Sequence, residues 1–297
     1  MASVSLVLSL GSCGDGTGAT GGSGGAASAP LRVCGDGGIG FVGQIAGGNQ
    51  DIDVYRELGF VFVAIDPACR FVATESVPGH LGTAFVGTLT AAQAAEVSAF
   101  LALDQWEELD PVYGAAVCGG SSARYAVGEQ IFEVVPSCGA VAFPGPPNDF
   151  PHSLARLASE LASMLRDLGT PATGDVRYQL LRERAGGNPP PAFNAGAATW
   201  PLDVPIDSLS VPPIDGSANR LSPVWTATGE DADKLRAVRV AFLEGEFGFD
   251  HEGAMPLADT DGSRFYLFVR DVIEFESASG EASVCWVDFN QPLESRL

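Results

Sequence analysis

Three histidines, six cysteines and a scatter of carboxylates carry whatever chemistry this 297-residue chain performs. His80 lies in a Pro-Gly stretch, His152 stands near the start of a predicted helix, and His251 sits within Phe-Asp-His-Glu-Gly. Their spacing brings no two of them together, so a zinc centre or a nucleophile–base triad would need the fold to gather them. Paired carboxylates suit glycoside hydrolysis, where the separation of the two groups decides the outcome. Glu107-Glu108, Asp250-Glu252 and Asp271-Glu274 are candidates, and solvated faces account for them equally well. No catalytic residue and no cofactor is assigned.

Asp259-Thr260-Asp261-Gly262-Ser263 offers hard oxygen ligands of the kind calcium takes. The EF-hand pattern fails, because Leu257 falls at its first position and no glutamate closes the loop. An Asp-Gly turn into the following strand is the stronger reading, with Asp259 and Asp261 kept as calcium candidates. Gly21-Gly22-Ser23-Gly24-Gly25 matches the spacing of a nucleophile elbow, yet small residues surround it instead of a strand and a helix. Gly35-Asp36-Gly37-Gly38-Ile39-Gly40 has the look of a phosphate loop but lacks the Gly-Lys-Ser/Thr ending. Turns are the sensible reading there.

The cysteines are Cys13, Cys34, Cys69, Cys118, Cys138 and Cys285, and none forms a C-x-x-C pair. Zinc ribbons and thioredoxin-like redox chemistry therefore fall away. Six cysteines suit an oxidising compartment. Cys118 and Cys138 flank a predicted hairpin, and a crosslink between them would contribute about 3 kcal/mol by loop entropy. Cys34 with Cys69 is the next pairing, and Cys285, within Val-Cys-Trp-Val, reads as a buried strand residue left free.

Cys13 has a different setting. Residues 4–10 read Val-Ser-Leu-Val-Leu-Ser-Leu, followed by Gly11, Ser12 and Cys13, and residues 14–30 hold nothing apolar larger than alanine or proline. Leu10-Gly11-Ser12-Cys13 resembles the lipobox of bacterial lipoprotein signal sequences. The resemblance implies removal of residues 1–12, acylation of Cys13 and stable attachment through more than one acyl chain. Gly14 follows the cysteine and Asp15 comes one place late for inner-membrane retention, which favours the outer membrane. A cleaved export signal, or a plain tail with an incidental cysteine, are the alternatives. Residues 13–30 then form a lipidated, Gly/Ser/Ala-rich flexible tether.

About 267 residues remain, enough for one large or two ordinary domains. Apolar content of 46% and a mean hydropathy of +0.16 exclude a mainly disordered chain. The formal charge of −21 comes from 37 acidic against 16 basic residues, of which only Lys234 is lysine. Without clustered Lys and Arg, nucleic acid is excluded as a partner and anionic lipid disfavoured.

Residues 59–65 form an apolar run that residues 70–74 return beside. Thr90 and Gln93 make a capping box, and Ala94, Val97 and Leu101 continue that helix towards Leu103, Trp106 and Leu109. Residues 124–127 and 130–135 read as a hairpin around Gly128-Glu129. Leu154, Leu157, Leu161, Leu165 and Leu168 share one helical face, stopped by Gly169 and Pro171. Residues 176–184 read as a strand. Between 186 and 223, Trp200, Leu202, Val204, Ile206 and Val211 interrupt the prolines, which suggests a connection laid over the fold.

Residues 226–235 then echo residues 88–97, threonine cap and spacing included, with strands at 264–275 and 282–289 following. The expected fold is α+β: two helix-plus-antiparallel-strand units, whose echo has two readings, an internal duplication or convergent helix capping. The units span residues 31–184 and 224–297, joined by a Pro/Gly-rich connection at 185–223. The expected function is a membrane-tethered binding or structural module of the cell envelope, with an envelope protein or glycan as partner. An exported hydrolase acting on polysaccharide or peptide is the alternative.

Overall fold

Short strands with alternating apolar residues assemble here into two sheets, each antiparallel but for one edge pair. The computed structural model describes residues 30–46, 61–77, 80–109, 112–113, 122–128, 130–134, 154, 156–182, 196–209, 211, 223–245, 255–259 and 263–273. The protein is α+β, as its sequence pattern predicts.

The first sheet has eight strands: β1 (Phe41–Ala46), β2 (Val61–Ile65), β3 (Arg70–Val77), β4 (His80–Thr88), β5 (Val112–Tyr113), β6 (Ser122–Val127), β7 (Gln130–Val134) and β8 (Thr170–Pro171). Their spatial order is β5-β7-β6-β1-β2-β3-β4-β8. Only β5 and β7 run parallel. On one face lie helices α1 (Ala91–Leu101) and α2 (Leu157–Arg166), with a 3-10 turn at Leu103–Glu108 between them. The second sheet has five strands, β9 (Val176–Arg182), β10 (Ala198–Thr199), β11 (Trp225–Ala227), β12 (Met255–Ala258) and β13 (Arg264–Asp271), in the order β10-β12-β13-β9-β11. Helix α3 (Gly229–Leu243) packs on it.

Local chemistry explains several of these bounds. Thr90 accepts from the Gln93 amide at 3.3 Å while Gln93 Oε1 accepts from the Thr90 amide at 2.8 Å, the reciprocal pair that the spacing predicts. Helix α1 does not run on to Leu103: Ala102 turns left-handed at φ 48°, and Leu103, Trp106 and Leu109 are buried from the 3-10 turn and the residue after it. Trp106 Nε1 donates to the Leu101 carbonyl at 2.8 Å, satisfying an acceptor that the helix end would otherwise leave open. In α2 the buried row is Leu157, Ala158, Leu161, Ala162 and Leu165. Leu168 falls beyond the helix end and is exposed, because the chain has already turned at Asp167.

The β2–β3 turn is fastened by Asp66. Its buried carboxylate accepts from the Arg70 amide at 2.8 Å and pairs with the Arg70 guanidinium at 2.6 Å. Beside it the disulfide Cys34–Cys69 ties the segment before β1 to this turn. The glycines from 35 to 40 are turns, as expected, and their amides are spent inside the protein: Gly35 on Pro67, Gly38 on Gly35, Ile39 on Arg32 and Gly40 on Val33. Position 38 admits only glycine, since a Cβ there would lie 2.3 Å from the Cys34 Cα.

Two cores result on the first sheet. Phe41, Trp106, Tyr125 and Phe132 centre the helix-covered face, with Trp106 and Phe132 ring centroids 4.9 Å apart. The opposite face is lined by smaller side chains, Val42, Val61, Ala64, Val72, Ala84 and Ala126, and there Ala172 and Ile273 pack from the second half of the chain. A third core belongs to the second sheet and includes Leu180, Leu235, Phe242, Phe265 and Leu267.

Strand β9 pairs with β13 and β11 in the second sheet, so the strand that the sequence reading places at the end of the first unit belongs structurally to the next. The connection after it is ordered where described, with Leu202, Ile206 and Val211 buried and Val204 exposed. A helix followed by an antiparallel hairpin occurs in both halves. The echo is looser than the residue match, because Thr228 makes no side-chain cap bond and β4 lies apart from β6 and β7.

Candidate functional site

Helix α3 inverts the usual order of burial. Ala232, Leu235, Arg239 and Phe242 form its buried row, while Val240 next door is 39% exposed. A guanidinium in such a row must find a partner, because an isolated buried charge is expensive. The partner is Asp271, the last residue of β13, whose side chain is 2% exposed. Arg239 Nη2 donates to Asp271 Oδ2 at 2.8 Å, and Arg236 Nε donates to Oδ1 at 2.8 Å. The main-chain amide of Ala84, in β4, reaches Oδ2 at 3.4 Å. Arg236 also donates to Asp233 at 3.0 Å and, through Nη2, to the Gly174 carbonyl. Arg270, itself buried, donates through Nη1 to the Asp271 main-chain oxygen at 3.1 Å. One carboxylate thus draws α3, β13 and β4 together.

The cluster forms the polar wall of a crevice where the end of β13 meets the back of the first sheet. Val61, Val72, Ala84 and Ile273 supply apolar walls, and Thr74, Arg239, Arg270 and Asp271 the polar ones. It is shallow, with room for about one water molecule. Thr74 Oγ1 donates to the Val61 carbonyl at 2.9 Å, leaving its lone pairs towards other donors. Arg239 Nε has no acceptor among the described residues, although its side chain is 4% exposed.

Of the sequence-predicted candidates, Asp271 is the one that, among the described residues, stands in this cluster. Cys34 and Cys69 form a disulfide with Cα atoms 5.0 Å apart, whereas Cys13, Cys118, Cys138 and Cys285 lie outside the described residues. So do His152, His251, Asp250, Glu252, Asp261 and Glu274. His80 opens β4, paired in register with Val77. Glu107 and Glu108 lie in the 3-10 turn. Asp259 donates its amide to the Ser263 carbonyl at 2.8 Å between β12 and β13, while the Asp261-Gly262 pair of the expected turn lies outside the described residues. Among the described residues, no three His, Cys, Asp or Glu side chains converge as metal ligands, and no helix is long and apolar enough to cross a membrane. Asp271, named above only as half of a carboxylate pair, commits both oxygens to guanidiniums.

The segment entering the fold is also held. The Leu31 amide donates to Asp104 Oδ1 at 3.1 Å and the Val33 amide to Ser98 Oγ at 3.0 Å. Any pull on the N-terminal segment is therefore borne by α1, the 3-10 turn and the disulfide together.

Sequence reasoning missed Arg236 and Arg239 altogether. Their signal was present: an arginine at the core position of the row Ala232, Leu235, Phe242, and a charged pair, Arg270-Asp271, ending an otherwise apolar strand. No family model, no curated protein and no solved structure matches the chain.

Proposed function

We propose that this chain is a lipid-anchored module of a bacterial cell envelope, held through Cys13, whose folded body binds or braces another envelope component. The observation that supports it is the Cys34–Cys69 disulfide. Such bonds persist in oxidising compartments and are rare in the cytosol. This one lies a short way downstream of a lipobox-like Leu10-Gly11-Ser12-Cys13 and ties the segment before β1 to the β2–β3 turn. Cleavage before Cys13 and acylation would leave residues 14–30 between lipid and body. Gly14 after the cysteine favours the outer membrane, and an envelope protein or glycan is the partner class.

Intact mass of the protein taken from the membrane fraction, before and after reduction and alkylation, tests the anchor. The expected mass begins at Cys13, carries acyl chains and gains alkylated thiols only on reduction. A mass that retains Met1, with Cys34 and Cys69 alkylated from the outset, would overturn it. Crosslinking in intact cells tests the role, with the same envelope protein or glycan expected in repeated captures. Absence of any such product, combined with robust turnover of a polysaccharide or peptide by the purified chain, would replace this reading with an exported hydrolase.

A further inference from the structure

We draw no further inference here: the strongest candidate, the ring cluster of Tyr178, Trp200 and Trp225 where β9 meets the edge strand β11 of the second sheet, packs on that sheet's own core, and nothing in the structure shows what covers its outer side.

Discussion

Tyr125 shows how one buried hydroxyl can govern the behaviour of this protein in alkali. Its ring is fully buried against Phe41 and Trp106, and its hydroxyl donates to the Leu154 carbonyl while accepting from the Ala158 amide at 3.4 Å. Burial pushes the hydroxyl well above its ordinary range, because the phenolate would lose its hydration. Tyr178 moves in the same direction for the same first reason, with Asp231 adding to it. A proton held more tightly by the folded state means that stability is intact below about pH 10, where the unfolded tyrosine ionises, and is lost as pH rises further. Each such tyrosine should steepen the loss by about 1.4 kcal/mol per pH unit until its folded pKa is passed. Urea unfolding at pH 8, 10 and 11 should show that decline. Tyr125→Phe should cost about 1–3 kcal/mol at pH 8, since the Ala158 amide and the Leu154 carbonyl lose their partner. The same variant should flatten the alkaline limb, and an unaltered slope would assign the decline to other groups.

The elements differ in how far they can be read before the fold is known, and the reason is distance along the chain. The Thr90–Gln93 box and the leucine row of α2 are local, so spacing alone identifies them. The turns at Gly35 to Gly40 are local too. Strand β9 is not: its type is legible in its apolar run, but its neighbours β11 and β13 are distant in sequence, and only pairing assigns its sheet. The site is less legible still, because Asp271 meets Arg239 across 32 residues and the Ala84 amide across 187. Arg239 could have been singled out from its place in an apolar row, though its partner could not.

The β2–β3 turn mixes both cases. Asp66-Pro67 announces a turn, yet what braces it is Cys34, brought from a sequence separation of 35. A loop of that length should contribute about 4 kcal/mol by restricting the unfolded chain. Cys34→Ala with Cys69→Ala should therefore lower the unfolding free energy by about 2–4 kcal/mol in denaturant titrations. Reduction of the wild-type protein should have a comparable effect. A close approach sets a second test on the helix-covered face, where a Cβ on Gly43 would lie 2.9 Å from the Ala158 Cβ and 3.1 Å from Val63 Cγ1. Gly43→Ala should push α2 off β1 and cost about 1–3 kcal/mol, a typical overpacking penalty.

For the whole molecule, the decisive question is whether two sheets with separate cores unfold as one. The helix-covered core of the first sheet and the core of the second share no residue, and their link is the back of the first sheet, where Ala172 and Ile273 pack beside Val72 and Ala84. Asp271 stands at that link, binding two arginines of α3 and the amide of Ala84 in β4. Removing one partner of a buried ion pair leaves the other charge uncompensated, which costs about 3–5 kcal/mol, far more than the intact pair contributes. In Asp271→Ala, Arg239 would be stranded in the apolar row of α3 at the seam between the sheets. The penalty falls on the seam and the second sheet, while the aromatic core around Trp106 is untouched. Calorimetry should therefore find one cooperative transition in the wild-type protein. In Asp271→Ala it should find two, the lower one belonging to the second sheet. Lys234 on the same helix pairs with Asp203 and Glu230 at the surface, and Lys234→Ala should leave the single transition in place. A single transition in Asp271→Ala, shifted down as a whole, would mean that the apolar contacts of Ala172 and Ile273 suffice to couple the two sheets. Asp271 would then serve to neutralise the arginines and would not join the halves.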